Sequence, residues 1–353
     1  MMLLPILALL VAPARAGEED ASPEPREAST GSGDETFAHL LNSLEQVITW
    51  SAYADFALLV PASGPATFDA SHFNPILGAR LSDTLWAELE LELEHAGQIV
   101  KMEYGFLDWR PGSAFTLRTG RFLVPIGAYN DRLHPSFRWA QLERPELSEE
   151  VLPVVWSDLG VQVLGDVSLG PAVTASWTAY VVNGLGGSWE SSGDPTLRDL
   201  RDNVIDNNSD KAFGGRVGAT VLFGVNRVRF DLSGYTGALD DAAAVRLNLG
   251  DVSLDAELGP VVVRGELARS TLAGDPWKLG SYLATGVRVG RVEPTVRWDM
   301  VQDLSSGSTL QRGVVSLKTD ITPQWNLRGE VGLSLLDPLG EGPSGGVMSA
   351  FFF

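Results

Sequence analysis

Residues 84–94, TLWAELELELE, alternate without a break. Leu85, Ala87, Leu89, Leu91 and Leu93 share one parity, and Trp86, Glu88, Glu90, Glu92 and Glu94 share the other. Wound as a helix, the run would spread leucine and glutamate around most of the circumference. As a strand it separates them, because successive side chains point to opposite faces of a sheet. One face then suits hydrocarbon and the other water, over the roughly 9–11 residues a tilted strand needs to cross a bilayer. A soluble sandwich strand shows the same alternation, so the reading depends on whether other runs repeat it.

They do. Residues 292–302 set Val292, Val296, Trp298 and Met300 against Glu293, Arg297 and Asp299. Residues 227–236 set Val228, Phe230 and Leu232 against Arg227, Arg229, Asp231 and Ser233, and residues 325–335 repeat the pattern with Arg328 and Glu330 on the polar face. A soluble sheet needs few charges on its outer face. Here the polar face is ionised in most runs, which suits a water-filled lumen. From Val47 onward there are about 16 runs, joined in turn by tight turns and longer breaks, the longest at 61–74, 126–157 and 183–210. The expectation is an all-β fold: a transmembrane antiparallel up-and-down β-barrel of about 16 strands over 46–353, with both ends on the periplasmic side.

Residues 1–16, MMLLPILALLVAPARA, read as a signal peptide with a short apolar core and an Ala14-Arg15-Ala16 cleavage pattern. Residues 17–45 read as a disordered acidic N-terminal segment, with one or two helical turns possible over 37–46. No later segment holds the roughly 18 consecutive apolar residues of a membrane helix. Residence in a membrane therefore requires a closed sheet, and the expected location is the bacterial outer membrane. The final residues, Phe351-Phe352-Phe353, resemble the terminal signal read by the outer-membrane assembly machinery. That machinery, through Phe351 and Phe353, is an expected partner beside outer-membrane lipid.

A net charge of −19 argues against nucleic acid as a partner, since phosphate neutralisation needs a basic surface. The absence of cysteine removes disulfides, thiolate metal sites and cysteine nucleophiles. The four histidines, His39, His72, His95 and His134, form no H-E-x-x-H pair. Gly342-Pro343-Ser344-Gly345-Gly346 matches G-x-S-x-G in letters but lies between two strands, not at the strand-to-helix turn of a nucleophile elbow. Asp240-Asp241 supplies too few carboxylates for calcium. No enzyme, cofactor or metal site is expected.

Residues 118–160 are more specific. Gly120-Arg121-Phe122, Pro125-x-Gly127-x-Tyr129-Asn130, Arg144-Pro145 and Leu152-Pro153…Trp156…Gly160 resemble the phosphate-selective porin family, the O and P porins. So do Tyr180-Val181-Val182-Asn183-Gly184, and Asp206-Asn207-Asn208 followed by Gly214-Gly215-Arg216. The resemblance covers about residues 118–236. It implies a 16-stranded barrel, a homotrimer, and a long third loop that folds inward to narrow the pore.

The residues of that loop agree, because a break of about 30 residues without regular structure is uncommon unless functional. Tyr129, Arg132, Arg138, Glu143, Arg144 and Glu146 are its candidate constriction residues. Parity assigns Glu88, Glu90, Glu92, Glu94, Arg118, Arg216, Arg229, Arg264, Arg288, Arg297, Arg312 and Arg328 to the pore lining. Arg121 falls on the lipid parity unless Gly120 marks a bulge. The family's lysine cluster is missing, since Lys101, Lys211, Lys278 and Lys318 are the only lysines. Glutamates gather early in the chain and arginines late, so opposite walls are expected to differ in sign. The expected function is passive diffusion of small hydrophilic solutes or ions, with weak anion (phosphate) preference. The alternative is a plugged barrel that docks a partner through its long loops.

Overall fold

The computed structural model describes residues 47–112, 114–186, 197–201, 206, 208–240, 245–336 and 342–353. The expected signal peptide, acidic segment and helical turns over 37–46 lie outside the described residues. Among those described, the strands are β1 (Ile48–Val60), β2 (Thr67–Arg80), β3 (Leu85–Glu94), β4 (Ile99–Gly112), β5 (Phe115–Leu123), β6 (Ser157–Ser168), β7 (Val173–Val182) and β8 (Ala212–Phe223). They continue as β9 (Asn226–Ala238), β10 (Arg246–Leu258), β11 (Val261–Leu272), β12 (Asp275–Val287), β13 (Val292–Asp303), β14 (Thr309–Thr322), β15 (Trp325–Leu336) and β16 (Ser344–Phe352). Each pairs antiparallel with its neighbours in sequence, and β16 closes on β1 in the register Tyr53↔Phe352 to Val60↔Gly345. Phe353 adds a last pair of backbone bonds with Ala52 at 2.8 and 2.9 Å. Closure leaves no sheet edge for lipid to meet, which is the condition for a sheet to span a bilayer.

The side chains divide as the alternation predicts. Phe230, Leu232, Leu283, Val296, Val315 and Val331 are exposed on the outside, while Asp231, Glu266, Arg297, Asp299 and Glu330 are buried inside. Aromatic residues gather at the rim that carries the chain ends. Trp325 stacks on Phe351 at 5.6 Å, Trp50 meets Phe353 at 6.1 Å, and Trp109 meets Phe115 at 6.4 Å. Such girdles sit where hydrocarbon gives way to headgroups. An arginine at mid-strand on the outer face should then cost about 2–4 kcal/mol, and one at a strand end about 0–1 kcal/mol. Leu283→Arg and Val287→Arg on β12 test this pair, read as denaturant midpoints of unfolding from lipid bilayers.

One expected boundary is corrected. The break at 61–74 is only 61–66: residues 67–73 begin β2, with Phe68 and Phe73 exposed outside. A register shift opposite Asp55 and Ala57 keeps both Asp69 and His72 in line with inward-facing partners. In β4 a shift opposite Glu90 and Leu91 inserts Glu103, so parity changes part-way along the strand. Gly120 has φ +124°, yet the β5 pairings run through it without a shift, and Arg121 stays on the outward parity, bonded to Ser157 Oγ at 2.8 Å.

The interior is also not uniformly wet. Towards the rim opposite the chain ends, Tyr180, Val182, Tyr235, Leu247, Tyr282 and Val301 point inward and are buried in one apolar cluster with the 124–156 loop.

Candidate permeation site: a loop tied across the barrel

Residues 124–156 leave β5 and return to β6 through a stapled neck. Val124 donates its backbone N–H to the Trp156 carbonyl at 3.0 Å. The Asn130 amide donates to the Val124 and Trp156 carbonyls at 2.7 and 2.9 Å and accepts from the Trp156 N–H at 2.8 Å. Between these points Ile126, Leu133, Trp139, Leu147 and Leu152 are buried. Trp139 stands edge-on between Tyr129 and Tyr282, at 5.1 and 5.8 Å, and Trp156 meets Tyr235 at 5.0 Å. The segment thus carries a small core of its own and presses it on β9 and β12.

Charged strand residues hold it there. Glu266 accepts the backbone N–H groups of Ala128 and Tyr129 at 3.0 and 2.8 Å, and Glu330 accepts those of Leu142 and Glu143 at 2.9 and 3.1 Å. Gly127 permits the first clamp: it has φ +67°, and a Cβ there would lie 2.5 Å from the Glu266 carboxylate. Arg297, in a buried pair with Asp299 at 2.8 Å, donates to Gln141 Oε1 and to the carbonyls of Glu143 and Arg144 at 2.8, 2.9 and 3.2 Å. Arg312 binds Glu143, Glu146 and Ser344, and Lys278 binds Glu150 at 2.7 Å. Arg216 forks onto Asp131 at 2.8 and 2.6 Å. Burial alone would raise the Asp131 carboxyl, but the Arg216 guanidinium holds it below the usual carboxylate range.

The predicted arginines therefore face inward, but many do not line a free wall. Arg216, Arg297 and Arg312 are engaged by the loop, and Arg328 is buried, with Nε on Asn326 at 2.8 Å. Arg118 pairs with Asp108 at 2.7 Å over the Phe106 ring. Arg229 pairs with Asp231 at 2.8 Å. Arg264 binds the Arg138 carbonyl at 3.0 Å, and Arg288 binds Glu293 at 3.1 Å. Arg229, Arg264 and Arg288 share with Arg132, Arg138 and Lys318 an open vestibule of ≈ 480 Å³, near the rim that carries the chain ends. Of the loop candidates, Tyr129 is buried in the loop's core, and Glu143 and Glu146 hold Arg312. Arg132 pairs with Asp231 at 2.8 Å, and Arg144 with Glu149 at 2.9 Å. Ser344 of the G-x-S-x-G letters opens β16 and donates to Glu143 at 3.0 Å.

The glutamate run does form a polar wall. Glu88 accepts from Trp86 Nε1 at 3.0 Å, and Glu90 accepts from Tyr53 and Asn74 at 2.8 and 2.7 Å. Glu92 and Glu94 share the Lys101 ammonium at 2.9 and 3.2 Å. They line a narrow cavity of ≈ 60 Å³ with Asp55 and His72, and its far side carries Arg144, Arg198, Arg201 and His134. Opposite charges thus meet across it, as expected, but the arginines come from loops and not from the late strands. His72, Arg198 and Arg201 sit in segments whose composition reads as plain loop, and no sequence signal distinguished them.

The chain matches no family model. A stretch of 150 residues, 40% of the chain, is 32% identical to an uncharacterized protein of Aquifex aeolicus (strain VF5); it covers 33% of that protein, so the chain spans about a third of the length of the relative it matches. Solved structures give wider coverage. OmpF of Salmonella typhi, in complex with daunomycin, superposes with a TM-score of 0.60 at 10% identity, over 87% of this chain and 97% of that one. The anion-selective porin of Comamonas acidovorans gives 0.59 at 12%, over 87% and 99%. A loop L8 deletion mutant of OmpT, an outer membrane protein of Vibrio cholerae, gives 0.60 at 10%, over 87% and 99%. The fold is that of the outer-membrane porins. The chain has a porin-like closed barrel of 16 strands.

Within this porin-like barrel, His134 makes the loop's docking sensitive to acid. Burial pushes its imidazole down to about 4, against the pull of Glu92, so the docked loop holds it neutral. An undocked loop would protonate it below about 6.5. The stabilisation is therefore complete above about pH 6.5 and is lost as pH falls towards 4, to the extent of up to about 3 kcal/mol. Current fluctuations in single-channel records should grow over that interval, and His134→Phe should flatten the dependence.

Proposed function

We propose that the barrel passes small hydrophilic solutes and ions by passive diffusion, along the polar side of the lumen between the loop and β1–β4. The observation that carries this reading is the cavity where Asp55, Glu92 and Glu94 face Arg144, Arg198 and Arg201. A field directed across a narrow aqueous passage orients dipolar solutes and favours neither sign strongly. The resemblance to the phosphate-selective porins supports a weak anion preference at most, because the arginines that parity offered as a selective row largely hold the loop. The basic vestibule beyond the constriction draws anions towards that mouth. Assembly as a homotrimer belongs to the same proposal, supported by the resemblance and by the trimer form solved for OmpT of Vibrio cholerae.

A second reading, a plugged barrel that docks a partner, is favoured by one observation: the loop's apolar core fills the β7–β13 side. Purified protein in planar bilayers separates the two. The permeation reading expects discrete openings and a reversal potential near zero in a salt gradient. A folded barrel that stays silent at all voltages would favour the plug.

A further inference from the structure

We propose that His72, Glu92 and Glu94 form a binding site for one divalent transition-metal ion of the zinc type. Strand register assembles it. His72 on β2 lies directly opposite Glu94 on β3, and Glu92 lies two residues along β3 on the same face. One ligand atom from each of the three falls within 4.8 Å of the others. This spacing suits a single ion, since zinc bonds its nitrogen and oxygen ligands at roughly 2.0–2.2 Å.

The imidazole is already set for the task. His72 Nδ1 lies 3.1 Å from both oxygens of Asp55, a carboxylate with no exposed surface, so Nδ1 carries the proton and donates it. Nε2 faces Glu92, 3.7 Å away, and would give up its proton when an ion binds between them. A ligating histidine commonly gives its other N–H to a carboxylate, which fixes the tautomer and strengthens the ligand. A second observation comes from the opposite wall. His134 lines the same cavity, and neither of its shielded ring nitrogens makes a well-formed hydrogen bond. It is a further nitrogen donor within the site's surroundings.

The two carboxylates have already gathered around a cation, since the Lys101 ammonium lies between Glu92 and Glu94 at 2.9 and 3.2 Å. A lysine stem is flexible enough to withdraw, and a divalent ion competes with its single charge. One imidazole with two carboxylates suits zinc and its neighbours better than calcium, which collects six to eight oxygens. The site stands on this geometry alone and does not depend on whether the barrel conducts.

Isothermal titration of the folded, detergent-solubilised full chain with zinc chloride tests it, with cobalt absorption as a report on nitrogen ligation. The expectation is one ion per chain. His72→Ala should abolish binding, and Asp55→Asn, which keeps the shape and the acceptor but removes the charge behind the imidazole, should weaken it about 10–100-fold. Lys101→Met should tighten it, because it removes the competing cation. That variant keeps the test open should His72→Ala fail to fold. Absence of binding by both the native chain and Lys101→Met, or equal binding by native and His72→Ala proteins, would overturn the proposal.

Discussion

Replacing residues 131–150 with a short Gly-Ser linker should raise single-channel conductance several-fold. The deletion removes Leu133, Trp139 and Leu147 from the interior and frees Arg216, Arg312 and Lys278 of their loop partners. It leaves Val124, Asn130 and Trp156, so the neck of the loop stays stapled. The barrel wall is closed by its own backbone ladder, strand to strand. The freed arginines would then face water, and the shortened channel should shift towards anions as its conductance grows. An unchanged conductance with a normally folded wall would mean that the loop does not narrow the passage.

Arg297→Ala should cost about 3–5 kcal/mol of stability, because it strands a buried carboxylate. Arg297 and Asp299 have no exposed side-chain surface, and the same guanidinium donates to three acceptors on the loop. No other basic side chain is paired with Asp299 among the described residues. Arg80→Ala provides the contrast. Its partner Asp83 lies at 2.8 Å, but both side chains are largely in water. An exposed pair of this kind contributes at most about 1 kcal/mol. Denaturant midpoints of the two variants, measured in the same lipid, give the comparison. Similar losses would contradict the assignment of Arg297 as the anchor of the loop. Arg297→Lys should recover part of the loss, since an ammonium keeps the charge but cannot reach all of these acceptors.

The wall of this barrel was legible because alternation is a local signal. In residues 84–94 each leucine and each glutamate declares its face, and no tertiary contact is needed to decide it. The strand count followed from repeating that reading, and the closing pair of β1 and β16 followed from the need to leave no edge. Parity failed where the backbone inserts a residue. The shift at Glu103 turns Tyr104 inward, and the one opposite Asp55 hid the start of β2 within an apparently polar break. The site was harder to read for a different reason. Parity says that Arg297 and Arg312 point inward, but not that a loop distant in sequence will supply their acceptors. The apolar inward positions Leu247 and Tyr282 carry no sign that they meet Trp139 and its neighbours. Likewise His72 and Glu94 become neighbours only through the register of the β2–β3 hairpin.

Towards the rim opposite the chain ends, the lumen has a wet side against β1–β4 and a dry side against β7–β13, divided by the loop. The chain has no cysteine, so single substitutions can be probed one at a time with a charged thiosulfonate during current recording. Glu94→Cys and Leu247→Cys sample the two sides. The reagent should reduce the current through Glu94→Cys and leave Leu247→Cys unaltered. A current that falls with Leu247→Cys while Glu94→Cys stays unmodified would contradict that division.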